Sequence, residues 1–144
     1  MATRVARKAS QLTNPAAERH VVRRGIAAVG LVSIALVHLL DVPDKFDELP
    51  YVGVLFAGLI VTTLLLAEAM IRTDDLRAWL AAGAVSAATI LGYAISRTSG
   101  LPGDSGDDVG NWTEPLGLAS LLVEGVVVLL VLGRLADRRT GVAH

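Results

Sequence analysis

Glu124 is the first residue with chemistry to explain. It interrupts LASLLVEGVVVLLVLG, a run that holds no other charge. It lies nine residues past Pro115, about 13 Å along a helix. A carboxyl group that deep in an apolar helix must be protonated, be paired, or face the interior of a bundle. It serves either as a proton or cation site, or as a neutral acid that hydrogen-bonds one helix to another. Gly117, Ser120 and Leu121 share its helical face, so a groove of small side chains leads from it toward the helix start.

His38 ends a second apolar run, about one helical turn before Asp41. An imidazole there suits a metal, a haem iron or a pH-sensitive contact. A bis-histidine haem needs a second axial ligand, and His20 and His144 lie in the tails, so two chains would each have to supply His38. The plainer role is an interfacial histidine bonded to a carbonyl or carboxylate.

The third feature is the acidic segment RTSGLPGDSGDDVGNWTEPLG, residues 97–117. Asp104, Asp107 and Asp108 are weak metal candidates, as is His38. Calcium takes about six to eight oxygens, and this spacing lacks the alternation and closing Glu of an EF-hand. GLPG signals a turn. NWTEPLG reads as a helix entry, with Thr113 as N-cap and Trp112 as an interfacial anchor or a lid. Arg97 is the natural partner of an acid at this end. A cluster of Arg97, Glu114, Glu48 and His38 is therefore expected. It either holds a small ligand or metal, or pins the connections together. Glu68 and Arg72, spaced i and i+4, predict a structural ion pair.

The elements that must position these groups are four apolar blocks. Gly25–Leu40 and Ala78–Ser96 hold no charge; Tyr51–Ile71 and Leu116–Gly133 hold one acid each, Glu68 and Glu124. A bilayer core needs about 20 apolar residues in a helix. Arginines 23 and 24 snorkel and extend the short first block to about Val21. A soluble bundle would show a polar face at helical period, whereas VGVLFAGLIVTTLLLA is apolar all round. The expected fold class is all-α: a polytopic membrane protein of four transmembrane helices as two hairpins. Their ranges are about 21–40, 51–71, 77–96 and 115–134, in a transmembrane domain 21–135 between tails 1–20 and 136–144. The first run reads as a retained helix, since no small-residue cleavage site follows it.

Eleven of the thirteen basic residues fall in the tails and in the turn between the second and third helices. The positive-inside rule then places both termini in the cytoplasm of a cell-membrane protein, with the segments Asp41–Pro50 and Arg97–Pro115 outside. Asn14 caps a short lead-in helix starting at Pro15. DELPYVG and NWTEPLG end the outer segments alike; helix chemistry explains much of the likeness, and a duplicated two-helix hairpin is the alternative. The third helix is rich in small residues, and Gly53, Gly58, Gly117 and Gly125 are candidate seats for helix crossings.

The chain has no cysteine, which excludes thiolate sites and disulfides. It carries no phosphate-binding loop, nucleophile elbow or zinc-protease motif, so the sequence leans away from an enzyme. No cofactor is assigned. The basic residues lack interleaved aromatics, which argues against nucleic acid.

The run SRTSGLPG through NWTEPLGLASLLVEG, with HLLD and DELPYVG upstream, resembles small, uncharacterised four-span membrane proteins of high-GC bacteria. The resemblance covers Gly25–Arg139 and implies no activity. Two functions are expected. One is a non-enzymatic subunit or accessory protein of a membrane assembly, with another membrane protein or a second copy as partner. The other is an ion-, proton- or small-ligand-binding protein that uses Glu124 and the cluster around His38. A reporter fused after His144 is expected on the cytoplasmic side of the membrane; an external reporter would overturn this topology.

Overall fold

The structure is a computed structural model, and it describes residues 15–141. Asn14, the tail before it and His144 lie outside the described residues. Four helices follow one another: α1 Pro15–Glu48, α2 Pro50–Arg72, α3 Leu76–Thr98 and α4 Pro115–Gly141. Each is long and apolar enough to cross a membrane.

Local chemistry sets most of the helix ends. α2 and α4 both start on proline, which gives up no helical hydrogen bond at that position. Asp75 caps α3 by accepting from the Arg77 amide at 2.9 Å. α4 is capped by Glu114, whose Oε2 accepts from the Gly117 amide at 3.0 Å, and not by the expected Thr113. A carboxylate there also meets the positive end of the helix dipole.

α1 is longer than the apolar pattern predicts. It runs through Pro43 to Glu48, so the segment expected as a loop from Asp41 is helical and Leu49 alone joins α1 to α2. Pro43 costs the helix one hydrogen bond. Two contacts offset that loss. Lys45 pairs with Glu48 at 2.6 Å, and the Phe46 ring packs directly over Gly53 of α2. Any side chain at Gly53 would strike that ring.

Consecutive helices run antiparallel, as contacts at their opposite ends require. Arg24, near the start of α1, donates to the carbonyls of Met70 and Ile71 at the end of α2, at 2.9 and 2.8 Å. α1 packs on α2 and α4, and α4 packs on α3; the α2–α3 contact is the sparsest of the four. The start of α1 and the end of α4 meet at an Arg23–Asp137 pair of 2.8 Å. At that same end Asp74 accepts from Arg134 at 2.6 Å and from the Trp79 indole at 3.2 Å.

The main apolar core cluster lies in the half nearest these ends. Ala27, Leu31, Ile34, Met70, Trp79, Ala82 and Val127 are buried there. Close approach makes it dense: a Cβ on Gly30 would lie 2.8 Å from Val127 of α4. The outer surface is apolar as well, with Val29, Leu36, Leu55, Leu65, Leu122 and Leu129 exposed, while His38, Thr63, Ser86, Ser120 and Glu124 are buried inside. A water-soluble bundle would not leave so many large apolar side chains outside and fill its centre with polar ones. Helices with this pattern gain little from the hydrophobic effect in lipid and depend on tight packing and polar contacts.

Gly58 and Gly125, two of the expected crossing seats, have nothing within 4 Å of a built Cβ, whereas Gly53 and Gly117 are tight. Gly30→Leu is expected to lower the thermal unfolding midpoint in detergent, by on the order of 1–3 kcal/mol of overpacking. Gly58→Leu is expected to leave it unchanged. Equal effects would contradict the packing described.

Candidate ligand-binding cavity

The sparse α2–α3 contact leaves space in the half opposite the core. A cavity of about 470 Å³ opens there, within the roughly 300–1,000 Å³ range of small-molecule sites. All four helices line it. Its walls are mostly apolar, from Val52, Leu55 and Leu59 on α2 to Val85, Gly92 and Leu116 on α3 and α4. Polar groups gather at its two ends.

The inner end holds His38, Thr89 and Ser120. Glu124 sits one helical turn behind Ser120, 1 % exposed. Its Oε1 accepts from the Ser120 hydroxyl at 2.7 Å and lies 3.9 Å from Nε2 of His38. Its Oε2 is buried with no hydrogen-bond partner. Nδ1 of His38 lies 2.9 Å from the Ile34 carbonyl. A carbonyl only accepts, so Nδ1 carries a proton and Nε2 faces Glu124. The ring also meets Phe56 edge-on at 4.7 Å.

The outer end is an ion network centred on Arg97, 5 % exposed. Its guanidinium pairs with Asp108 and, at 3.0 Å, with Glu114. It also stacks 4.9 Å over the Tyr93 ring. Lys45 reaches Asp108 at 3.8 Å while paired with Glu48. These contacts tie the 99–114 connection to α1, α3 and α4. The Tyr51 hydroxyl adds α2 by donating to the Pro102 carbonyl at 2.9 Å. The expected turn at GLPG is present: the Asp104 amide donates to Leu101 at 3.0 Å, and Gly103 takes the φ of +85° that the third turn position demands.

The site residues anticipated from sequence thus fall into two groups. Arg97, Glu114 and Glu48 share the outer network, Glu48 through Lys45. His38 is not part of it and instead faces Glu124 at the inner end. Trp112 is exposed, outside the cavity lining, and edge-on to Tyr93 at 6.0 Å. Asp104 lines the cavity, Asp107 accepts from Ser105, and Asp108 pairs with Arg97 and Lys45. Among the described residues no three His, Asp or Glu side chains converge on a metal-sized position. Glu68 and Arg72 form their pair at 2.7 Å on the exposed surface.

Sequence reasoning missed Lys45 and Asp41 as wall residues because it placed them in a loop. The Asp41, Lys45, Glu48 spacing of four and three is the signal that they share one helical face. It also missed Tyr93, whose place one turn before Arg97 is the spacing that lets the ring lie under the guanidinium.

Comparison with protein families, curated proteins and solved structures finds no match to this chain.

Arg97→Ala is expected to leave Asp108 and Glu114 facing each other without their cation. Both acids keep part of their solvent, so the loss of stability should be about 1–3 kcal/mol, below that of a fully buried pair. Glu114→Gln, which retains an acceptor for the Gly117 amide, should cost less. Thermal unfolding of the two variants in lipid nanodiscs checks the order; a larger loss for Glu114→Gln would contradict it.

Proposed function

We propose that the protein is a multi-pass cell-membrane protein, its helices paired as α1–α2 and α3–α4 with both ends cytoplasmic, that binds a small amphipathic molecule between its helices. The cavity is the observation that carries this reading. Its walls are apolar, its outer end is charged and its inner end holds a hydrogen-bonding group, which matches a molecule with a long apolar body. The eleven basic residues in the tails and the α2–α3 turn support the orientation. The cavity mouth then opens to the outer side, beside the acidic connection.

A second reading keeps the protein as an accessory subunit, paired with another membrane protein or a second copy. It is favoured by α3, a helix rich in small residues with only 17 % of its span buried in the chain itself and Ala84 exposed outside the cavity lining. A helix of that kind lets a partner backbone come close. Kinship with the small four-span bacterial membrane proteins belongs to both readings and adds no activity to either.

Native mass spectrometry after gentle extraction separates the two. The cavity reading predicts a small extra mass on the wild-type chain that is lost in Gly92→Leu. Gly92 lines the cavity and has nothing within 4 Å of a built Cβ, so the leucine fills space without a clash. A second protein chain in fixed ratio, unaffected by that substitution, would favour the subunit reading instead.

A further inference from the structure

We propose that the inner end of the cavity is a cation site, at which the ammonium group of a lipophilic amine displaces a proton held by Glu124 and His38. The inference rests on the cavity reading and names the charge of its ligand.

The pair is isolated. α2 carries no titratable side chain between Tyr51 and Glu68, and α3 none between Arg77 and Tyr93. α4 carries none between Glu114 and Glu124, or between Glu124 and Arg134. On α1 the nearest is Asp41, nearer the mouth, where Lys45, Arg97, Asp104, Asp108 and Glu114 also gather. No lysine or arginine of the described residues pairs with Glu124. A lone carboxylate in an apolar interior is too costly to persist, so the two groups hold one proton between them beyond that on Nδ1. It sits on the carboxyl beside a neutral imidazole, or on Nε2 beside a carboxylate. Both arrangements are neutral overall.

Removing that proton leaves two acceptors aimed at each other across 3.9 Å, the Nε2 lone pair and Oε1. A donor atom about 2.9 Å from each closes a triangle on that separation. Satisfying both takes two N–H or O–H bonds on one atom. Charge neutrality takes a positive one. A primary ammonium has both properties. The exchange balances: the carboxylic acid loses its proton to solvent, the ammonium enters with its own hydrogens, and the site stays neutral. Glu124 Oε2, buried and without a partner, offers a third acceptor.

The route suits such a ligand. The mouth carries Asp41, Glu48, Asp104, Asp108 and Glu114 against Lys45 and Arg97, a net acidic rim that draws cations inward. The walls take the hydrocarbon body, and the Phe56 ring stands beside His38.

The full chain in phosphatidylcholine nanodiscs, titrated calorimetrically with octylamine and with octanol in phosphate and in Tris, tests this. Octylamine should bind at least tenfold tighter than octanol and release about one proton per molecule. Its affinity should rise by up to about tenfold per pH unit while the pair is protonated, because the proton competes. Glu124→Gln, which keeps an acceptor for Ser120, should abolish the release and the preference. Equal binding of both probes with no proton release would overturn this inference and leave the cavity reading standing. Heat from neither probe beyond that of protein-free nanodiscs would contradict both.

Discussion

The guanidinium of Arg97 holds together everything at the loop end. It is buried, and it joins a carboxylate of the 99–114 connection to the carboxylate that caps α4. Its own backbone carbonyl accepts from the Gly110 amide at 2.8 Å, so the start and the end of that connection are fixed to one residue. Tyr93 beneath it packs against Gly117, where no side chain would fit. Without this pin four glycines of positive φ would leave the connection with little reason to fold back over the helices. With it, the connection becomes the rim of a cavity.

The opposite end solves the same problem by filling space. Helices that are apolar on every side gain little from burying more apolar surface when lipid is the alternative. What joins them is close approach at Gly30 and Gly83, together with charge pairs at the ends: Arg24 on the α2 carbonyls, Arg134 and Trp79 on Asp74, Arg23 on Asp137. That end is dense, and the buried core stops near Ile34 and Ala67. Beyond it α2 and α3 barely touch, and the polar pair of His38 and Glu124 marks the boundary between packed core and open cavity. The division follows from composition. Ala27, Ala28 and Ala82 are buried at the packed end, whereas Tyr51, Phe56 and Tyr93 line the open one.

The four helices were legible in the sequence because charge is absent from long stretches, a signal that needs no knowledge of packing. The ends of α2 and α3 and the start of α4 were legible from proline, acid and arginine positions, whereas α4 runs on to Gly141, seven residues past the expected 134 and through most of the segment expected as a tail. The end of α1 was not. Asp41, Asp44, Asp47 and Pro43 all argue for a loop, and the Lys45–Glu48 pair and the Phe46–Gly53 contact carry the helix on to Glu48. The second of these is a tertiary contact that no local pattern reveals. For the site, the types were readable and the grouping was not. Arg97 with Glu114 followed from opposite charges at two neighbouring helix ends. His38 with Glu124 did not, because His38 lies just three residues before Asp41 and Glu124 lies mid-helix, and the relative depth of two helices depends on where each one starts. The longer α1 places His38 deeper than a helix ending at Leu40 allows.

The proposed site requires a loop-end cavity that is open to the outer medium beside a polar core that is closed. The absence of cysteine from the chain makes this measurable without removing any residue first. Ser96 lines the cavity near Arg97, and Ser86 is fully buried outside that lining. Ser96→Cys and Ser86→Cys, each treated in intact cells with a charged, membrane-impermeant thiol reagent, give the comparison. Rapid labelling is expected at position 96 and none at position 86. Labelling at neither position, or at both alike, would contradict an outward-opening cavity.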